Sequence, residues 1–295
     1  MISTAEVVFE GLNCVRLSNG LVTVWITTDV GPRILGLSLT EGENLFVVTP
    51  DARIPVEGQG DYSLRGGHRL WIAPEIPETT YIADDKPVEI SRLENGAEAI
   101  QEADDKTGIQ KSINVYFSEE LAQITIDHKL LNTGRESFRL APWAITMMRP
   151  GGLGLIPLQT ETDDENGLWP NRDLVLWPYT KINSPHIKLK DRAIAIKAEM
   201  ADGALKVGAS NPLGWLAYSL DGTLFVKKTA YQVGANYLDR GASSQIYCNP
   251  DVMELESLGP VVDLEPGECT THQEIWQVYP EGFWPEDISD LLNIF

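Results

Sequence analysis

Apolar and polar positions alternate with a period of two in short runs along most of the chain: LVTVWITT, SINVYF, LAQITIDHKL, AIAIKAE, ALKVGA, GWLAYSL, TLFVKKTAY, DVMELES and HQEIWQVY. Successive side chains on a strand point to opposite faces. This alternation, with its Val, Ile, Thr and aromatic content, therefore predicts half-buried β-strands. Turn-forming clusters separate the runs: SNG, EGEN, DDKTG, NTG, DGT and EPGE. Only PEDISDLLNIF at the C-terminus reads as a helix, with Pro285 near its start. Strands this numerous, with almost no helix between them, pair as antiparallel hairpins, because parallel neighbours need long crossovers. The predicted fold is all-β, a large antiparallel β-sandwich of two facing sheets.

The 295 residues are expected to form a single domain, 1–295, since large sandwiches reach this length as one unit. The longest irregular tract, 159–186, carries five acidic residues and two tryptophans. It reads either as a lid or rim loop, or as a connection whose tryptophans cover a sheet edge. With 23 Lys and Arg against 43 Asp and Glu, the formal net charge is −20, which argues against a nucleic-acid partner. Three cysteines, Cys14, Cys248 and Cys269, show neither a CxxC nor a zinc or disulfide spacing. The N-terminus lacks the features of a signal peptide and no apolar run is long enough to span a bilayer, so a soluble cytoplasmic protein without a membrane partner is expected.

Candidate chemistry concentrates in two places. In DVMELESLGP the strand period puts Val252, Glu254 and Glu256 on one face and the core residues Met253 and Leu255 on the other. The two carboxylates then project side by side, about 7 Å apart, and their repulsion raises one pKa toward the range of a general acid or base. RGGHRLWIAPE supplies the complement. Gly66 and Gly67 suit a loop lining a pocket, His68 is a candidate acid, and Arg69, Trp71 and Glu75 are candidate substrate contacts. His128 alternates with Ile124, Ile126 and Leu130, which favours a buried, hydrogen-bonded role. His272 shares a face with Glu274 and Trp276, but no spacing supports a metal site, and no metal or other cofactor is expected. The chain has no GxxxxGK[ST], GxGxxG between strand and helix, GxSxG or HExxH.

The segments DVGPRILGLSLTEGENLF, RGGHRLWIAPE, LNTGRESFRLAPWAITMMRPGG, LFVKKTAYQVGANYLDRG and YCNPDVMELESLGPVVDLEPGE, in this order, resemble the galactose mutarotase (aldose 1-epimerase) superfamily, and within it a bacterial branch. The resemblance implies a β-supersandwich with a concave carbohydrate-binding face. It implies a base at Glu256, with Glu254 as the competitor, and it sets His68 near the early HGG-like segment. Where the enzymes carry a second, mid-chain histidine, the comparable APWAIT offers Trp143, so His68 is left to supply the proton.

The expected function is therefore anomer interconversion of a small-molecule carbohydrate by general acid–base catalysis. Glu256 or Glu254 and His68 are the catalytic groups. Arg33, Arg69 and Lys227 hold hydroxyl or carboxylate groups, and Trp71 and Trp143 stack on the ring. Two alternatives stay open: a non-catalytic carbohydrate-binding protein on the same scaffold, and a glycan lyase or hydrolase. Sequence does not set the oligomeric state.

Overall fold

The computed structural model describes residues 2–280 apart from positions 41 and 163; the helix expected over 285–295 lies outside the described residues. Two large antiparallel sheets face each other. The first runs, in spatial order, Ser3–Phe9, Leu12–Ser18, Val22–Thr27, Arg33–Leu39, His68–Ala73, Phe138–Met148, Met253–Leu258, Ser244–Cys248, Leu205–Ala209 and Val175–Leu176, with Val262–Leu264 paired to Phe138–Met148. The second runs Ile187–Leu189, Ala193–Lys197, Leu153–Pro157, Trp215–Leu220, Thr223–Lys228, Cys269–Tyr279, Gln123–Asn132, Ile109–Phe117, Gly96–Ile100 and Glu89–Leu93.

Each alternating run named above lies on one of these strands. Their inward residues, among them Val24, Leu37, Ile126, Leu216, Phe225 and Trp276, fill the space between the layers. Removal of this apolar surface from water is the main driving force for the stacking of the sheets. The His68–Ala73 strand and most of Phe138–Met148 are buried on both faces. Their inner side packs Leu70, Ile72 and Leu140 against Leu130. Their outer side carries Trp71, Trp143 and Ile145, packed with Leu258, Val56 and Tyr62. Val56 and Tyr62 belong to a separate hairpin, Val48–Val56 with Gly60–Gly66, that lies against this outer face.

The glycine pair does not line a pocket. Gly66 (φ +86°) and Gly67 (φ +72°) pass the chain directly from the hairpin into the His68–Ala73 strand, and a β-carbon on Gly67 would lie 2.4 Å from the Ile34 carbonyl oxygen. Positive φ and this close backbone approach together demand glycine. Tract 159–186 contributes the edge strand Val175–Leu176, leaves Trp169 69% exposed and folds Trp177 back toward the sheet.

Candidate functional site

Register across the first sheet assembles one group of polar side chains from four strands. On its outer face, Arg69, Ile145, Glu256 and Gln245 lie in one row, and Met147, Glu254, Tyr247 and Lys206 in another. Trp71, Trp143 and Leu258 form a third. The alternation in MELESL thus puts Glu254 and Glu256 on the same side, as expected, with Met253 and Leu255 in the core.

Glu256 is 0% exposed. Its Oε2 accepts hydrogen bonds from Lys206 Nζ at 2.7 Å and from Trp143 Nε1 at 2.8 Å, whereas Oε1 is buried without a partner. Burial raises the Glu256 carboxyl, Lys206 pulls it down, Glu254 pushes it up, and it comes to rest at about 7. Lys206 is held between two indoles, its Nζ 4.6 Å from the Trp143 ring and 4.7 Å from the Trp177 ring. Arg69 donates to Glu254 at 3.0 Å and lies 4.0 Å over the face of Trp71, with Nε and Nη1 buried and unpaired. Aromatic hydroxyls surround the group. Tyr81 donates to the exposed Glu75, and Tyr179, 48% exposed, lies within electrostatic reach of Glu256, Tyr247, Glu75 and Glu254.

The expected residues divide. Glu254, Glu256, Arg69, Trp71 and Trp143 come together, and Glu75 sits beside them through Tyr81. Trp71 and Trp143 do not offer free ring faces, since Arg69 covers one and Lys206 the other. Arg33 is on the same side of the sheet but is enclosed by the hairpin, donating to the Leu64 and Gly66 carbonyls and to Asp84.

His68 and Lys227 lie in the interior between the sheets, on the opposite side of the first sheet from Glu256. The expected meeting of His68 with Glu256 therefore does not occur. One residue of register separates His68 from Arg69, and on a strand one residue is a change of face.

Those interior groups form a closed polar network with its tautomers set by its partners. His128 Nδ1 donates to the His272 carbonyl (2.7 Å), so its Nε2 accepts from His68 Nε2 (2.7 Å), and His68 Nδ1 in turn accepts from the Thr146 hydroxyl (2.9 Å). Lys227 donates to Glu274 (2.8 Å) and to the Ala144 and Leu255 carbonyls (both 3.0 Å). Glu274 also accepts from Trp276 and Ser257, and Ser257 from His272. Burial, then the neighbouring cations and His128, drives His68 well below the ordinary imidazole range, and burial drives His272 down to about 3. Burial alone would raise Glu274, but Lys227 and the histidines outweigh it and hold the carboxyl below its usual range. His68, His128 and Glu274 also bring together atoms of metal-ligand type. Each of those atoms already has a hydrogen-bond partner and Lys227 already neutralises the carboxylate, so the donor set is not that of a vacant metal site.

Lys206, Trp177, Tyr179, Tyr247 and Tyr81 were not anticipated. The parity of ALKVGA does put Lys206 opposite the core residues Leu205, Val207 and Ala209. What a single chain does not display is that this strand lies two places from the one bearing Glu256.

Two facing antiparallel sheets, with a polar and aromatic face built on the outside of one of them, define a galactose mutarotase-like β-supersandwich. Among solved structures, a galactose mutarotase-like protein from Lactobacillus casei superimposes with a TM-score of 0.58 at 8% identity, over 90% of this chain and 100% of that one. A protein from Synechocystis sp. PCC 6803 matches with a TM-score of 0.58 at 10% identity, over 95% and 100%. A galactose mutarotase related enzyme from Lactobacillus acidophilus matches with a TM-score of 0.50 at 10% identity, over 92% and 100%. No family model and no curated protein matches the chain. At these identities the likeness is one of fold. Among the described residues no helix is long and apolar enough to cross a membrane.

Proposed function

We propose that the chain acts as one carbohydrate-binding domain whose site at Glu256 interconverts the anomers of a small sugar, in the manner of an aldose 1-epimerase. One observation carries this reading: a fully buried carboxyl, poised at about 7, has one oxygen held by Lys206 and Trp143 and the other left as an unused acceptor. Oε1 removes the proton of the anomeric hydroxyl and the ring opens. Rotation about C1–C2 and closure on the other face follow, with no cofactor. A base with its pKa near the working pH gives the best compromise between ionised fraction and proton affinity. Tyr179, Tyr247 and Trp177 provide the aromatic surface against which a sugar ring rests.

The rival is a carbohydrate-binding protein without catalysis, favoured by the placement of the histidines. His68, His128 and His272 are interior, and His186 precedes the edge strand Ile187–Leu189 of the other sheet. Polarimetry and exchange NMR on freshly dissolved α-aldoses separate the two. Wild type should accelerate exchange and Glu256→Gln should lose about 10²–10⁴-fold of that acceleration, while the sugar still raises the melting temperature. Stabilisation by sugar without faster exchange supports the rival; neither effect sinks both.

A further inference from the structure

Lys206 is 4% exposed, and its hydrogen bond to Glu256 is the only one its ammonium makes among the described residues. An ammonium has three N–H donors, so two are unused. Beside it, Glu256 Oε1 is an unused acceptor. A cyclic sugar's anomeric carbon bears the complementary pair: a hydroxyl that donates and a ring oxygen that accepts. We infer that Lys206 is the proton donor to the ring oxygen, the catalytic acid paired with the base Glu256; this rests on the anomer-exchange reading of the site.

The step balances. Glu256 takes the proton from O1, the O1 electrons form the C1=O bond, the C1–O5 bond breaks, and O5 takes a proton from Lys206 Nζ. The open-chain aldehyde is left beside a neutral carboxylic acid and a neutral amine. These are the states that closure needs, the acid to protonate O1 and the amine to take the O5 proton, and closure restores the carboxylate–ammonium pair held at 2.7 Å. Ring closure runs the same transfers in reverse on either face of the aldehyde.

Other groups at the site are poorer acids. A guanidinium is not a proton donor in catalysis, which removes Arg69, and burial holds the Tyr179 phenol above its ordinary range. The two indoles receive the ammonium on their ring faces, which favour a cation without fixing its N–H directions.

The test measures anomer exchange of α-D-glucose and α-D-galactose by wild type, Lys206→Arg, Lys206→Met and Lys206→Ala. Arginine keeps the positive charge beside Glu256 but cannot give up a proton, so Lys206→Arg should lose about 10²-fold or more, as should the other two. Added ethylammonium should restore a measurable part of the Lys206→Ala rate. An arginine variant within a few-fold of wild type overturns the assignment, as does a Lys206→Met rate that returns fully when the pH is raised, because charge alone would then suffice. If wild type accelerates exchange but every Lys206 variant matches it, only the lysine assignment falls. If wild type leaves both sugars at their uncatalysed rate, the anomer-exchange reading falls and takes this one with it.

Discussion

The carboxyl of Glu256 should make the protein less stable as pH rises, and the size of that effect follows from its burial. Its pKa is 4.5 when unperturbed and about 7 when buried behind Lys206 and Trp143. Between those values the folded state keeps a proton that the unfolded chain has released. Stability therefore falls with rising pH through this window and is flat on either side of it. The full displacement corresponds to about 3 kcal/mol, most of which falls between about pH 5 and about pH 8.

Urea unfolding of wild type and Glu256→Gln across that range reads the contribution, because the variant has no carboxyl to titrate at this position and groups remote from it cancel. The variant's stability relative to wild type should climb by about 2–3 kcal/mol over the range. A constant difference would show that Glu256 ionises alike in the folded and unfolded chains, and would remove the case for it as a base tuned to neutral pH. The same ionisation should govern catalysis, with the exchange rate rising through about pH 7 as the carboxylate forms.

Three further perturbations separate the site from the interior. Trp143→Phe removes the indole N–H that donates to Glu256, so the acid limb of the exchange profile should move up by about one pH unit. Lys227→Met strands the buried Glu274 charge and should cost about 3–5 kcal/mol in urea unfolding, with Lys227→Met/Glu274→Gln recovering part of the loss. His68→Leu leaves His128 and Thr146 without their partner and should cost about 2–4 kcal/mol, while exchange per folded molecule stays within a few-fold of wild type. A His68 variant that folds normally but loses exchange would restore the histidine as the acid.

Strand parity made much of the architecture legible. LAQITIDHKL alternates in burial as its pattern predicts, and MELESL and ALKVGA turn their apolar residues to the core, although their polar faces are covered too. HRLWIA was harder, because a strand buried on both faces shows no contrast between apolar-in and polar-out. Its glycines drew attention to a loop, although they serve a backbone crossing beside Ile34. Lys206 is illegible in the sequence for a different reason. A lone lysine on an amphipathic strand is ordinarily solvated, and its approach to Glu256 depends on the intervening Ser244–Cys248 strand, a long-range pairing no local pattern encodes.

The first sheet thus carries buried charge on both sides, and the state of the hydrogen-bond valences distinguishes the two. Inside, Lys227, Glu274, Thr146, Ser257 and the three histidines pass donors to acceptors until the chain of partners closes, which ties one sheet to the other. Outside, in one row across the strands, Arg69, Glu256 and Gln245 each retain a buried polar atom with no partner, and Lys206 retains two N–H donors. Leaving such groups unpaired opposes folding by about 1–3 kcal/mol apiece. Unused valences in this row, next to aromatic rings and a carboxyl tuned to neutrality, are what a polyhydroxylated ligand would satisfy. That contrast, more than the number of polar residues on either side, is what supports the proposed site on the outer face.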